Sequence, residues 1–126
     1  MKRLWLGISL LTLFLTTSLL IGCAMDRTHL EIAEKLQNAA ELVLQDHAAL
    51  GKEQAQSAKA QWEKSWSWTA AVADHAPMDE IDGLFAQLKA YENPEDKTHY
   101  AATCLQLVKL VEAVAEAHRL SLQNLL

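Results

Sequence analysis

The hydrophobic residues of this chain form one unbroken apolar run near the N-terminus, followed by stripes in which they recur every three or four residues. Such spacing is typical of amphipathic helices. Four segments show it, and the few Gly and Pro residues of this region lie mainly between the segments. The sequence therefore predicts four helices, at about residues 29–50, 52–74, 77–91 and 94–124, and no strands.

Four amphipathic helices with short connections predict an all-α fold, namely an antiparallel bundle of about four helices. Two tetratricopeptide-like helical hairpins are the alternative fold, although the Trp, Gly, Tyr and Pro positions of that repeat are not matched. The first stripe includes His47 and Leu50, with Gly51 as a C-terminal cap. The last stripe includes Cys104 and His118. We expect these stripe residues in the core, and His29, His75 and His99 at the surface.

The apolar run extends from Leu4 to Ile21 and follows two basic residues, Lys2 and Arg3. A basic start followed by an uncharged apolar run is the layout of a bacterial export signal. The run is also close to the roughly 20 residues that a membrane-spanning helix requires. Its length alone therefore leaves a cleaved signal and a retained membrane helix both open.

The end of the run favours a lipoprotein signal. Leu20, Ile21, Gly22 and Cys23 resemble a lipobox, in which a diacylglyceryl group is attached to the cysteine sulfur and the chain is then cut before that cysteine. Fatty acyl chains such as palmitate on Cys23 would hold the protein on the membrane. We expect a signal peptide at residues 1–22, a lipidated tether at 23–28 and a helical domain at 29–126. The protein would be lipid-anchored in the cell membrane or outer membrane, facing outside the cytoplasm.

Composition narrows the functions of the remaining 104 residues. Residues 1–22 contain two of the 11 basic residues and none of the 16 acidic ones, so the rest carries a formal charge of −7. A strongly acidic chain disfavours binding to nucleic acid or to anionic lipid. With Cys23 lipidated, Cys104 is the one free thiol that remains, so the mature domain cannot form an internal disulfide.

Catalytic groups are not found at useful spacing. Cys104, His118 and Glu112 are the components of a nucleophile, base and acid, but Cys104 and His118 are about 21 Å apart on one helix at about 1.5 Å per residue. The sequence has neither a Gly-rich phosphate loop nor a nucleophile elbow. We therefore expect a protein that is not an enzyme and that uses no cofactor.

Two stretches are candidates for binding. In the Trp-rich second helix, Trp62 and Trp66 lie one turn apart, whereas Trp68 points away from both. Trp68 could pack against another element, or it could bind a partner protein or the membrane interface. The acidic stretch from Asp74 to Gly83 contains His75, but its spacing fits neither a zinc nor a calcium motif, so no metal site is expected there.

Four short motifs resemble the Domain of Unknown Function 4363 family of small bacterial membrane-associated proteins. They are Asp74-His75 at the end of the Trp-rich helix, Asp79-Glu80-Ile81-Asp82, Leu88-Lys89-Ala90-Tyr91, and the C-terminal Leu120-Ser121-Leu122-Gln123-Asn124-Leu125-Leu126. The resemblance implies an N-terminal membrane anchor and an all-helical exported domain. It implies no activity and no site residues.

Together these observations predict a membrane-anchored protein-interaction module of the cell envelope. The partner would be another envelope protein, bound through Trp68 or through the turn at His75. The alternative is a small-ligand or metal-binding lipoprotein that uses the acidic turn or a cavity lined by Trp62, Trp66 and Phe85.

Overall fold

The computed structural model describes residues 1–71 and 73–125, apart from the side chains of Leu122 and Leu125. It confirms the all-α prediction, since none of the described residues forms a strand. The four helices are α1 (Lys2–Leu44), α2 (Ala48–Ala70), α3 (His75–Leu88) and α4 (Lys97–Leu125). Two single turns of 3-10 helix, Lys89–Tyr91 and Pro94–Asp96, connect α3 to α4.

The helices form an antiparallel bundle in which α1 packs along both α2 and α4, and α3 packs mainly on α4. Contacts at two levels fix the direction of each neighbour. Gly51 near the start of α2 lies against Val43 of α1, and Gln61 further along α2 donates to Glu31 and accepts from Lys35, both at 2.8 Å. On α4, Arg119 lies 3.6 Å from Asp26, and Lys97 lies 2.9 Å from Asp46 at the opposite end. Helices α2 and α4 therefore both run antiparallel to α1, as in an up-down-up-down bundle.

Helix α1 has two halves with opposite surroundings. Residues 2–21 are almost entirely exposed although most of them are apolar, whereas one face of residues 22–43 is buried in the bundle. At a rise of about 1.5 Å per residue, the 43 residues make a rod of about 65 Å, more than twice the roughly 30 Å thickness of a bilayer core. The first part of α1 is thus an exposed apolar segment, residues 4–21, and the second part is one of the four helices of the bundle.

The predicted start of the first helix was wrong. A tether was expected at residues 23–28 and a helix from about residue 29, but α1 passes through both without a break. No Pro or Gly follows Gly22 before the helix ends, and Ala24, Met25 and Arg27 are good helix formers. Met25 is also buried against the rest of the bundle, and this packing favours a helix in this stretch.

The core consists mainly of aliphatic residues from all four helices. Trp62 is its largest fully buried side chain, and Cys104 is fully buried as predicted. Burial raises the pKa of the Cys104 thiol to about 12, so this cysteine is protonated and unreactive at neutral pH. The other completely buried large side chains are Ile32, Leu36, Met78, Ile81, Leu107 and Val111.

The turn between α1 and α2 differs from the prediction. Helix α1 ends at Leu44, and Asp46 adopts a positive φ of 64°, a conformation that Asp tolerates better than most residues. His47 and Leu50 were expected in the core but are exposed, because the turn interrupts the stripe to which they were assigned. Gly51 was expected to cap a helix but lies inside the first turns of α2.

Gly51 marks a close approach of α1 and α2. A Cβ atom there would lie 2.5 Å from Val43 Cγ2 and 3.0 Å from the Ala39 carbonyl oxygen. By contrast, a Cβ atom on Gly83 of α3 would meet nothing within 4 Å. The spacing of residues along α2 does not predict this contact, because it depends on the neighbouring helix.

The two glycines should respond oppositely to the same substitution. Gly83→Ala should raise the free energy of unfolding by about 0.5–1 kcal/mol, because alanine favours helix and meets no neighbour. Gly51→Ala should lower it, because overpacking costs about 1–3 kcal/mol and exceeds the gain in helix propensity. Circular dichroism melts of the full-length protein in mild detergent measure both effects. A Gly51→Ala protein as stable as Gly83→Ala would contradict the close contact of α1 and α2.

Candidate functional site

We call the end of the bundle where the apolar segment of α1 leaves it the junction end. It comprises residues 20–29 of α1, the last turns of α2, the start of α3 and the last turns of α4. A groove of about 510 Å³ opens here between α1 and α2. This junction groove is lined mainly by apolar side-chain surface and falls in the size range of small-molecule sites.

The rim of the junction groove carries an aromatic ring and a cation. Trp68 is 59% exposed, and Lys64 lies one helical turn before it on the same side of α2. Lys64 is exposed and forms no ion pair within the part of the chain that the structure describes, whereas the nearby Lys59 pairs with Glu63 at 3.8 Å. The groove therefore offers an apolar wall with one positive charge at its edge.

Behind the groove, the junction end contains buried polar side chains. His29 is only 2% exposed, and its Nδ1–H donates to the Met25 carbonyl oxygen at 2.7 Å. Among the described residues, Nε2 of His29 has no hydrogen-bond partner, and His118 Nε2 on α4 is likewise buried without one. One carboxylate oxygen of Asp26 has the same status, while the other faces Arg119. Such groups are uncommon in a folded core and deserve a functional explanation.

The environment of His29 disfavours its charged form. Burial lowers the pKa of the imidazole, and nearby His118 lowers it further, against the opposing effects of the Met25 hydrogen bond and of Asp26. The His29 ring also packs edge-on against Trp62, with ring centroids 6.1 Å apart. His29 was predicted at the surface and is instead a neutral core residue. Its spacing to Ile32, Ala33 and Leu36 would have shown this if the first stripe had been extended toward Cys23.

The residues of the predicted lipobox lie at the same end. Leu20 and Ile21 are exposed and line the junction groove, and Gly22 is buried. Cys23 is exposed and is not part of the groove lining. On a helix, Cys23 lies roughly 140° from the middle of the groove-lining positions at about 100° per residue. Its thiol is therefore accessible from the outer side of α1.

The two candidate partner-binding residues occupy different surfaces of the junction end. Trp68 borders the groove between α1 and α2, whereas His75 is the exposed first residue of α3. Of the neighbouring acidic stretch, Asp74, Asp79 and Glu80 are exposed. Among residues 1–71 and 73–125, no group of three or more His, Cys, Asp or Glu side chains is arranged to hold a metal ion.

A cavity of about 490 Å³ lies near Trp62, Trp66 and Phe85 as expected. The polar atoms at its edge are already hydrogen-bonded to one another. Trp62 Nε1 donates to Asp82 Oδ1 at 2.7 Å, and Trp66 Nε1 donates to Asp82 Oδ2 at 3.1 Å. One carboxylate of α3 thus binds two indole N–H groups of α2. Because α2 and α3 have few other contacts, this pair of hydrogen bonds is better explained as a link between helices than as a ligand site.

The fold and the junction end define a four-helix domain carried on an apolar N-terminal helix. Within the described residues, α1 is the one helix that is long and apolar enough to span a membrane, and signal sequences share that property. The family model described as "Domain of unknown function (DUF4363)" matches residues 23–125. The chain therefore belongs to this family, as the four sequence motifs indicated. No curated protein and no solved structure matches the chain significantly.

The lowered pKa of His29 predicts acid sensitivity. As pH falls below about 6.5, the unfolded chain binds a proton on this histidine while the folded protein resists it, so stability falls with pH. His29→Met should flatten this decline in thermal melts of the full-length protein between about pH 8 and pH 5. His75→Met, at an exposed site, is the matched control and should keep the wild-type slope. Equal slopes for His29→Met and wild type would refute the assignment.

Proposed function

We propose that this protein is a membrane-anchored interaction module of the cell envelope, with its helical domain outside the cytoplasm. The observation that supports this most strongly is the 43-residue helix α1, in which an exposed apolar segment continues directly into the buried face of the domain. Exposed apolar surface on that scale is unfavourable in water and is explained by burial in a bilayer. The basic start at Lys2 and Arg3 fits retention of that end on the cytoplasmic side.

Attachment through Cys23 is the second part of the proposal. The Cys23 sulfur would attack the glyceryl carbon of a phospholipid, so that a C–S bond forms as the C–O bond to the headgroup phosphate breaks. The phosphorylated headgroup would leave, and the thiol proton would pass to it or to water. Hydrolysis of the Gly22–Cys23 bond would then release the signal peptide. The residues Leu20 to Cys23 and the exposed position of the Cys23 thiol support this chemistry. Two or more acyl chains are sufficient for stable anchoring, because each buried methylene contributes about 0.8 kcal/mol.

Binding is a better explanation of the domain than catalysis. Cys104 is buried and protonated, and His118 lies about four turns away along α4, too far to activate it. The domain surface instead offers the exposed turn at His75 and the exposed ring of Trp68. Since Trp68 borders the apolar segment, we assign the protein partner to the His75 turn and consider the Trp68 surface separately below.

Anchoring and orientation can be tested in one set of cells. The wild-type protein should incorporate an alkyne-labelled fatty acid, remain with the membrane after alkaline washing, and be digested by protease added outside a permeabilised outer barrier. Cys23→Ser should lose the label, because serine has no thiol, yet should keep the uncut apolar helix. Cys104→Ser is the control for thiol specificity. A wild-type protein that is protected from protease or found in the soluble fraction would refute the proposed location.

Partner binding through the His75 turn is tested by crosslinking in intact cells. A partner crosslinked to wild type should be lost with His75→Ala and retained with His47→Ala, an exposed histidine at the opposite end of the bundle. Both variants must reach the membrane in wild-type amounts. The proposal fails if the crosslinked partner survives His75→Ala, or if both variants lose it equally.

A further inference from the structure

The junction groove lies where a membrane lipid could enter it. Because α2 runs antiparallel to α1, the Gln61 contacts with Glu31 and Lys35 fix the level of α2 relative to α1. Trp68 follows Gln61 by two turns, about 10 Å, which brings it level with the residues just after the apolar segment. The groove is lined by Leu20 and Ile21 at one end and reaches His29 at the other.

The chemistry of the groove matches a phospholipid in three respects. Its walls are apolar, as a hydrocarbon chain requires. Lys64 supplies an exposed cation at the edge, without an ion-pair partner among the described residues, where a lipid phosphate would lie. Trp68 provides an amphipathic ring of the kind that is enriched at membrane interfaces. A long lysine side chain can also reach the headgroup level while its stem covers apolar surface.

We propose that the junction groove binds one acyl chain of a bilayer phospholipid, with Lys64 at the lipid phosphate and Trp68 against the upper part of the chain. This inference rests on the membrane anchoring proposed above. All but two of the residues that line the groove follow Cys23, so most of the site remains in a chain that has been cut before Cys23. The proposed occupant is a lipid of the surrounding bilayer. The acyl chains attached to Cys23 are not the proposed occupant, and the test below uses a protein that lacks them.

The strongly acidic domain constrains the headgroup. With a formal charge of −7 after residue 22, the domain as a whole repels anionic surfaces, and the single Lys64 at the groove is a local exception. We therefore expect the groove to accept a zwitterionic lipid, whose one phosphate can face Lys64 without an added net negative charge. Phosphatidylcholine is a suitable probe, because it combines that phosphate with two hydrocarbon chains.

The test uses the full-length Cys23→Ser protein, which carries no lipid of its own, reconstituted in vesicles of phosphatidylcholine with a photoreactive diazirine on one acyl chain. Flotation of the vesicles first establishes that the protein is membrane-bound. After irradiation, we expect peptide mass spectrometry to find crosslinks on α2 between Gln61 and Thr69, in addition to those in the apolar segment. Crosslinks confined to residues 4–21 in protein that floats would overturn the groove proposal and leave anchoring intact.

Two pairs of variants locate the lipid within the groove. Ala24→Phe fills the groove and should reduce the α2 crosslinks several-fold, whereas Ala102→Phe, at an exposed position on α4, should not change them. Lys64→Glu should also reduce them several-fold, whereas Lys109→Glu, outside the groove, should not. Equal crosslinking of Ala24→Phe and Ala102→Phe would refute the groove as the site. Protein that fails to float at all would instead count against the anchored state on which this inference depends.

Discussion

The continuity of α1 is the constraint on which the rest of this structure depends. A helix without Pro or an internal break is stiff, so the direction of the apolar segment fixes the direction of the buried face on Ile32 and Leu36. Both α2 and α4 pack on that face, and through them the whole bundle is oriented relative to the apolar segment. If residues 4–21 cross or enter a bilayer in the uncut chain, the junction end must lie at its surface, and a lipid on Cys23 would keep it there after the cut. The positions of Trp68, Lys64 and His75 then acquire a functional meaning that they would lack in a free bundle.

The polar groups at the contacts between helices divide into two kinds. Asp82 is satisfied, because both oxygens accept indole N–H bonds and the carboxylate joins α3 to α2. His29 and His118 are not, because each leaves Nε2 buried without a partner in the part of the chain that the structure describes. The first kind stabilises the arrangement of helices. The second is confined to the junction end, where α1, α2 and α4 meet beside the groove, and within it the lowered pKa of His29 reduces stability at acid pH.

The sequence predicted the helices well because their stripes record which face each helix buries. Cys104 is buried as expected, and so are apolar residues at the three- and four-residue spacing of the stripes on α3 and α4, namely Ile81, Leu84, Phe85, Leu88, Leu107 and Val111. Errors arose where a stripe was cut or extended at the wrong residue. His29 was excluded by an assumed tether, and His47 was included because the turn at Asp46 gives no strong signal such as Pro.

The candidate site was harder to predict, because it depends on contacts between helices that are distant in sequence. The pattern placed Trp68 apart from Trp62 and Trp66, which is confirmed, but it could not show that Trp68 faces Leu20 and Ile21 across a groove. Nor could it show that Asp82 binds both indoles 16 and 20 residues away. Such pairings follow from helix order and level in the bundle, which a single sequence does not specify.

The most direct test of the account is a distance measurement across the junction. Spin labels at Thr12→Cys and Glu34→Cys, both exposed on α1, would be placed in a full-length Cys23→Ser and Cys104→Ala background reconstituted in vesicles. An unbroken helix predicts a narrow distance distribution centred near about 33 Å for the 22 residues between the labels. A broad distribution, or one centred well below this value, would show that the apolar segment and the domain are flexibly joined and would contradict the account.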